Sequence, residues 1–158
     1  MTYNNRNDRS GPRHSPPQPP PEIRPMPLPD DYVEAAEAVI RSFLEDNPNT
    51  GKRPSCISTS KLRNLLTLST AMYNRETIRT GDAIAPQTLA DISQMRIRTA
   101  YECGRDYETK RFVERAKLLQ HLKWLSESRQ RRNVIDFAHY MEALVAYHHY
   151  YGLKGKED

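Results

Sequence analysis

Asn133-Val-Ile-Asp-Phe-Ala-His-Tyr-Met-Glu-Ala-Leu-Val-Ala-Tyr-His-His-Tyr-Tyr-Gly152 places its apolar residues at a spacing that suits a helix and not a strand. Val134, Phe137, Met141, Leu144, Val145, His148 and Tyr151 recur three and four residues apart, so they share one side of a 3.6-residue turn. Asp136 falls in the first turn. Gly152 is a natural C-cap, because glycine enters the left-handed conformation at no steric cost.

The same period governs the sequence upstream. Residues 109–126 read as one helix with apolar residues on more than one side. Phe112, Ala116 and Leu119 form one cluster, Leu118 and Leu125 point elsewhere, and Val113 and Trp124 elsewhere again. A helix without a clean polar face is deeply buried or covered on two sides, and a neighbouring subunit would supply the second cover. A helix from Pro86 buries Leu89, Ile92, Ala100 and Cys103, with proline suited to its first turn. Another opens at residues 58–60, with a serine hydroxyl as N-cap, and buries Leu62, Leu65, Leu66, Met72 and Tyr73. The first covers residues 31–46, where Asp31 and Glu34 have the spacing of a capping box.

No stretch alternates with period two, so the expected fold is all-α: a bundle of about five helices over residues 30–152. Nine of the twelve prolines fall in residues 1–29, which read as a disordered leader contributing nothing to the core. The PxxP spacing within residues 15–21 fits a stiff solvated leader, and also an aromatic-lined groove. Residues 153–158 form a C-terminal tail.

The net charge of +4 hides an uneven distribution. Between Lys52 and Arg132 there are 17 Lys and Arg against 8 Asp and Glu, whereas residues 31–51 carry one against five. Such a block attracts polyanions, nucleic acid above all. Seven residues apart, Arg98 and Arg105 lie within about 20° of each other on the far side of their helix. Arg63, Thr67, Thr70 and Asn74 line the outer face of the second helix, which suits phosphate contact or is an ordinary wet face. Arg96 projects from the apolar arc and must pair with a carboxylate such as Glu142, or reach a ligand.

Several chemistries find no support. His139 and His149 are about 80° out of register, and His148 sits in the apolar arc as a core histidine, so no metal site is expected. Cys103 reads as inert packing, whereas Cys56, after Lys52, Arg53 and Pro54, has a setting that could lower a thiol pKa, although no histidine partners it. There is no phosphate-binding glycine loop, no bilayer-spanning apolar run and no secretory leader, so a cytoplasmic binding protein without cofactor or catalysis is expected.

Four stretches carry a resemblance: residues 58–66 (STSKLRNLL), residues 95–105 (MRIRTAYECGR), Phe112-Val113, and residues 137–152 (FAHYMEALVAYHHYYG). Together they resemble the small subunit of the type III-A CRISPR effector, the Csm complex, over roughly residues 57–152. The resemblance implies a non-catalytic helical module that stacks in a few copies beside the backbone and large subunits. It would face the duplex of guide RNA and target RNA. Base pairing reads the target there, so the small subunit need only hold phosphates. Lys61, Arg63, Arg98 and Arg105 are the family-matched RNA-binding cations, and Lys52, Arg53 and Arg75 are added from charge placement. The Pro-rich leader departs from the family's compact pattern. The main alternative is a purely architectural subunit whose arginines pair with neighbouring proteins. A helix-turn-helix regulator lacks its short turn and recognition face, and a nuclease lacks a nominated acid–base pair.

Overall fold

The computed structural model describes residues 11, 15–46, 54–156 and 158, and among them every regular element is a helix. The order is α1 (Tyr32–Leu44), α2 (Thr59–Thr77), α3 (Pro86–Arg105), α4 (Tyr107–Ala116), α5 (Leu118–Ser128) and α6 (Arg131–Tyr150). α6 packs against α1 and α2, while α3 packs against α2, α4 and α5. α2 is thus the shared wall between two layers. Phe43, Phe112 and Phe137 are completely buried in the core, with the Phe43 and Phe112 rings stacked 6.0 Å apart.

Among the described residues six helices stand where about five were expected, because residues 109–126 do not form one helix. Lys117 adopts φ 57, ψ 33, a left-handed conformation that ends α4 and redirects the chain into α5. The break resets the helical phase. α4 buries Phe112, Val113 and Ala116, and α5 buries Leu118, His121, Leu122 and Leu125, each along a single face. The several apolar sides of one long helix thus become two buried faces within this chain, with Leu119 and Trp124 left half-buried. Buried Tyr140 on α6 donates its hydroxyl to the Ala116 carbonyl (2.9 Å), satisfying an acceptor at the break.

Other helix ends follow the expected chemistry. Ser58 caps α2, accepting from the Lys61 amide at 3.4 Å, and Pro86 opens α3. α6 closes in a Schellman motif: Gly152 (φ 66) donates to the His149 carbonyl (3.0 Å) and Leu153 to the His148 carbonyl (3.1 Å), with Leu153 buried. Asp31 precedes α1 as expected, but its side chain makes no capping bond.

The leader and tail both touch the body. Residues 15–27 are exposed, yet Leu28 is buried, correcting the expectation that residues 1–29 contribute nothing to the core. Pro25, Pro27 and Pro29 lack an N–H, and Met26 between them donates its own to the Gln120 carbonyl (3.1 Å). His121 Nδ1 bonds the Met26 carbonyl (2.9 Å), and Lys123 Nζ donates to the Ile23 carbonyl (3.0 Å), strapping the segment along α5. At the other end, the Cys56 amide donates to the Lys154 carbonyl (3.1 Å), and Gly155 approaches so closely that a Cβ there would lie 2.5 Å from the Ser58 nitrogen.

One buried carboxylate fixes α2 relative to α3 and α6. Glu76, fully buried, accepts from the Thr88 hydroxyl (2.5 Å), the Ala85 amide (2.9 Å) and Arg79 (2.9 Å), with Arg131 Nε at 3.3 Å. Arg131 also donates to the Glu76 main-chain carbonyl and to that of Gly81 (2.7 Å). Burial alone would raise the carboxyl's pKa, but the hydrogen bonds from Thr88, Ala85 and Arg79 outweigh it and hold it below the ordinary value.

Candidate nucleic-acid interface

Much of the basic block holds the fold together. Arg111 bonds Asp46 and Glu108 (2.9 Å), and Arg115 bonds Asp46 (2.9 Å) while lying 4.2 Å from the Phe43 ring centroid. Arg79 and Arg131 serve Glu76. Arg111, Arg115 and Arg131 tie separate segments of the fold together, and Arg79 ties the loop after α2 to Glu76, so these four are poorly placed to hold an external anion.

What remains converges where the N-terminal half of α2 meets the C-terminal half of α3. A groove of about 300 Å³ is lined there by Ser60, Lys61 and Asn64 from α2 and by Arg98, Glu102 and Arg105 from α3. Arg98 is exposed and has no hydrogen-bond or ion-pair partner among the described residues. Arg105 stays loosely held, 3.7 Å from Glu102 with its side chain 62% exposed. Lys61 Nζ lies 3.2 Å from Asp106, which caps α4 by accepting from the Thr109 amide (3.1 Å) and hydroxyl (2.6 Å). Burial would raise the Asp106 pKa, but the bonds from Thr109 and Lys61 keep it lowered, so the carboxylate stays ionised near neutrality.

The seven cations expected at the site are thus divided. Lys61, Arg98 and Arg105 come together in the groove. Arg63 is exposed on α2, likewise without a side-chain partner among the described residues. Thr67 and Thr70 on that helix donate their hydroxyls back to the Arg63 (3.0 Å) and Leu66 (2.9 Å) carbonyls, so the face offers fewer outward donors than its composition suggests. Arg75 does not join the groove. It bonds Asp91 (2.6 Å) and Thr88 (3.2 Å), clamping α2 to α3 about 21 Å along the helix from Lys61. Lys52 and Arg53 lie outside the described residues.

The expected Arg96–Glu142 pair does not form. Glu142 is on α6, which packs on α1 and α2, and it bonds His139 Nδ1 (3.1 Å). Arg96, half-buried and without a partner among the described residues, lines a second groove of about 420 Å³ with Ile23, Ser93, Ile97, Ala100 and Leu119.

Cys56 reverses its expectation. The residue is fully buried, and burial pushes its thiol up to about 12, so it is not an activated nucleophile. His148 is the core histidine its position predicts, with Nε2 2.9 Å from the Ile57 carbonyl and a pKa lowered by burial. Among the described residues no three His, Cys, Asp or Glu side chains are grouped to hold a metal. Among the same residues no helix is long and apolar enough to cross a membrane.

Sequence reasoning missed Lys156. The tail folds back over the start of α2, and Lys156 lines a small recess of about 90 Å³ with Ser58, Lys61 and Asp106. The signal was the Lys154-Gly-Lys156 composition of the tail, but only the fold places it beside Lys61.

The sequence profile of the Csm2 type III-A family matches residues 37–154. A CRISPR system Cms protein Csm2 from Streptococcus thermophilus is 35% identical over 125 residues, covering 79% of this chain and 94% of the relative. A protein of the same description from Mycobacterium tuberculosis is 34% identical over 127 residues, covering 80% and 96%. One from Enterococcus italicus is 27% identical over 95 residues, covering 60% and 68%. The leader that straps α5 lies outside the matched family region.

Proposed function

The chain belongs to the type III-A Csm2 family, and from that premise we propose that it is the non-catalytic small subunit of an RNA-guided effector that grips guide and target RNA by their phosphates. Its partners are then the backbone and large subunits of the Csm complex and further copies of itself, stacked along the RNA in the cytoplasm. The observation that carries the RNA reading is Arg98: an exposed arginine without an internal acid, set in the same groove as Arg105 and Lys61. A guanidinium so placed offers a planar fork of donors that matches a phosphate. Lys61 and Arg105 add positive charge to the groove, and Arg63 extends it along α2. Lys156 joins on the tail side. Lys52 and Arg53 precede α2 in sequence and are proposed contacts on charge alone, while Arg75 is assigned to the α2–α3 clamp.

Phosphate gripping is blind to sequence and sensitive to salt. The logarithm of affinity should fall with the logarithm of salt by about 0.7 for each single-strand phosphate held. The test is the double variant Arg98→Glu with Arg105→Glu, assembled with the other effector subunits and measured for target-RNA affinity across a salt series. Weaker binding with a shallower slope and intact assembly supports the proposal. Loss of assembly would assign these arginines to protein neighbours, the architectural alternative. Affinity and slope equal to wild type would refute phosphate contact at this groove.

A further inference from the structure

Tyr101 does not line the groove but touches it through Arg105, and it is 61% exposed although it is a large aromatic residue within a family-matched string. On the α3 wheel, Arg98 and Arg105 lie about 60° and 40° to one side of it, and Ile97 lies about 40° to the other. Ile97 is itself 63% exposed. Ile97 and Tyr101 therefore form an apolar ridge on α3, with the Arg98–Arg105 groove on one flank and the groove containing Arg96 on the other. The Arg105 guanidinium lies over the Tyr101 ring, its carbon 5.3 Å from the centroid, so one face of the ring already carries Arg105, while more than half of the tyrosine's surface stays exposed.

Among the described residues the other exposed tyrosines lack this setting. Tyr107 neighbours Arg111, which is committed to Asp46 and Glu108. Tyr150 packs its ring edge-to-face with Tyr151. Arg105, by contrast, is held only loosely by Glu102, and Arg98 has no acid among the described residues. An exposed aromatic ring with an arginine on one side and a second arginine beside it is an arrangement that lets a protein stack a nucleobase while its adjoining phosphates are neutralised.

We infer that Tyr101 is a stacking platform for one unpaired RNA base, with Arg98 and Arg105 holding phosphates beside it. The inference rests on the RNA reading of the groove and sharpens it. Phosphate contacts alone give a single strand no advantage over a duplex, whose charge density is higher, whereas a base locked in a duplex presents no free face to the ring. The site therefore takes RNA that is single-stranded, or that has a base displaced from its duplex, at the point where it crosses α3. The selectivity is for strandedness and not for base identity, because every base offers a π-face.

The test compares the full-length wild-type protein with Tyr101→Ala and Tyr101→Phe. The probes are a uridine 15-mer, the same strand with one central 2-aminopurine, and a blunt RNA duplex of equal length. Tyr101→Ala should weaken single-strand binding by about 5- to 150-fold. It should also abolish the quenching of 2-aminopurine fluorescence, while duplex affinity and thermal midpoint stay as in wild type. Tyr101→Phe, which keeps the ring, should retain both affinity and quenching. Equal affinity of wild type and Tyr101→Ala for the single strand overturns the inference while leaving phosphate gripping standing. Wild-type protein that binds none of the three probes, alone or within the assembled effector, overturns both. Unchanged RNA affinity with reduced self-association in light scattering would make Tyr101 a protein contact and also overturns the inference.

Discussion

Replacing Glu76 by alanine removes the carboxylate on which three helices meet. The Thr88 hydroxyl and Ala85 amide lose their acceptor, and Arg131, whose side chain is only 15% exposed, loses its counter-charge. Removing one partner of a buried ion pair costs about 3–5 kcal/mol, because the other charge is left desolvated. Against a total stability of about 5–15 kcal/mol that is a large fraction. At about 4 °C per kcal/mol, the thermal midpoint should drop by about 12–20 °C. Glu76→Gln keeps an acceptor for Thr88 and Ala85 but turns an amide N–H₂ toward Arg79 and Arg131, so it should recover part of the loss.

The assay is chemical or thermal unfolding followed by circular dichroism, repeated from pH 7 downward. The folded-state pKa of Glu76 is depressed, so its contribution is fully present above the ordinary value of 4.5 and is lost as pH falls through the folded value. The stability difference between wild type and Glu76→Ala should therefore shrink on acidification. Asp106 and Asp158 are depressed too, but they remain in both proteins and cancel in the difference. The same variant should weaken RNA binding, since the knot sets how α2 lies on α3 and so the width of the groove. A loss below about 1 kcal/mol, or a difference that does not change with pH, would refute the reasoning.

Lys117→Gly should stabilise the protein by up to about 1 kcal/mol, because glycine adopts φ 57 without the steric cost a lysine bears; a lower melting temperature would count against the α4–α5 break as described. Gly155→Ala would force a Cβ against the Ser58 backbone and lift the tail, so Cys56 should become labelled by a thiol reagent at pH 8 while staying unreactive in wild type. Half-buried Cys103, its thiol pushed up by burial to about 11, is the internal reference in the peptide mass analysis, and an unchanged Cys56 rate would show that the tail is not its cover.

Helix content, most helix ends and one face of the site are properties that neighbouring residues settle among themselves. The three-and-four spacing of apolar residues locates the buried sides of α2 and α6, and Ser58, Pro86 and Gly152 act on the backbone within a turn of their own positions. On α3 it misplaces the face: Ala100 is exposed and Leu89 and Cys103 are half-buried, while Thr88 and Thr99 are buried with Ile92 and Met95, because the packing of α2, α4 and α5 around the helix decides which side is covered. The seven-residue separation of Arg98 and Arg105 likewise puts them on one face whatever the helix packs against. The break at Lys117 was not legible, because a lysine in the left-handed conformation carries no residue signature; it is set by burying two differently phased faces, Phe112–Ala116 and Leu118–Leu125, in one core. Which cations are available was also decided by tertiary structure. Arg75 and Arg98 look alike in the sequence, yet Asp91 on the facing helix claims the first and no described residue claims the second. Lys156 reaches the site only because the tail folds back over α2, and Arg96 has no Glu142 because α2 separates α3 from α6. Local sequence thus determined the helices and the far-side arginine pair. Charge pairing across residues distant in sequence depends on which surfaces meet, and that only the packed core decides.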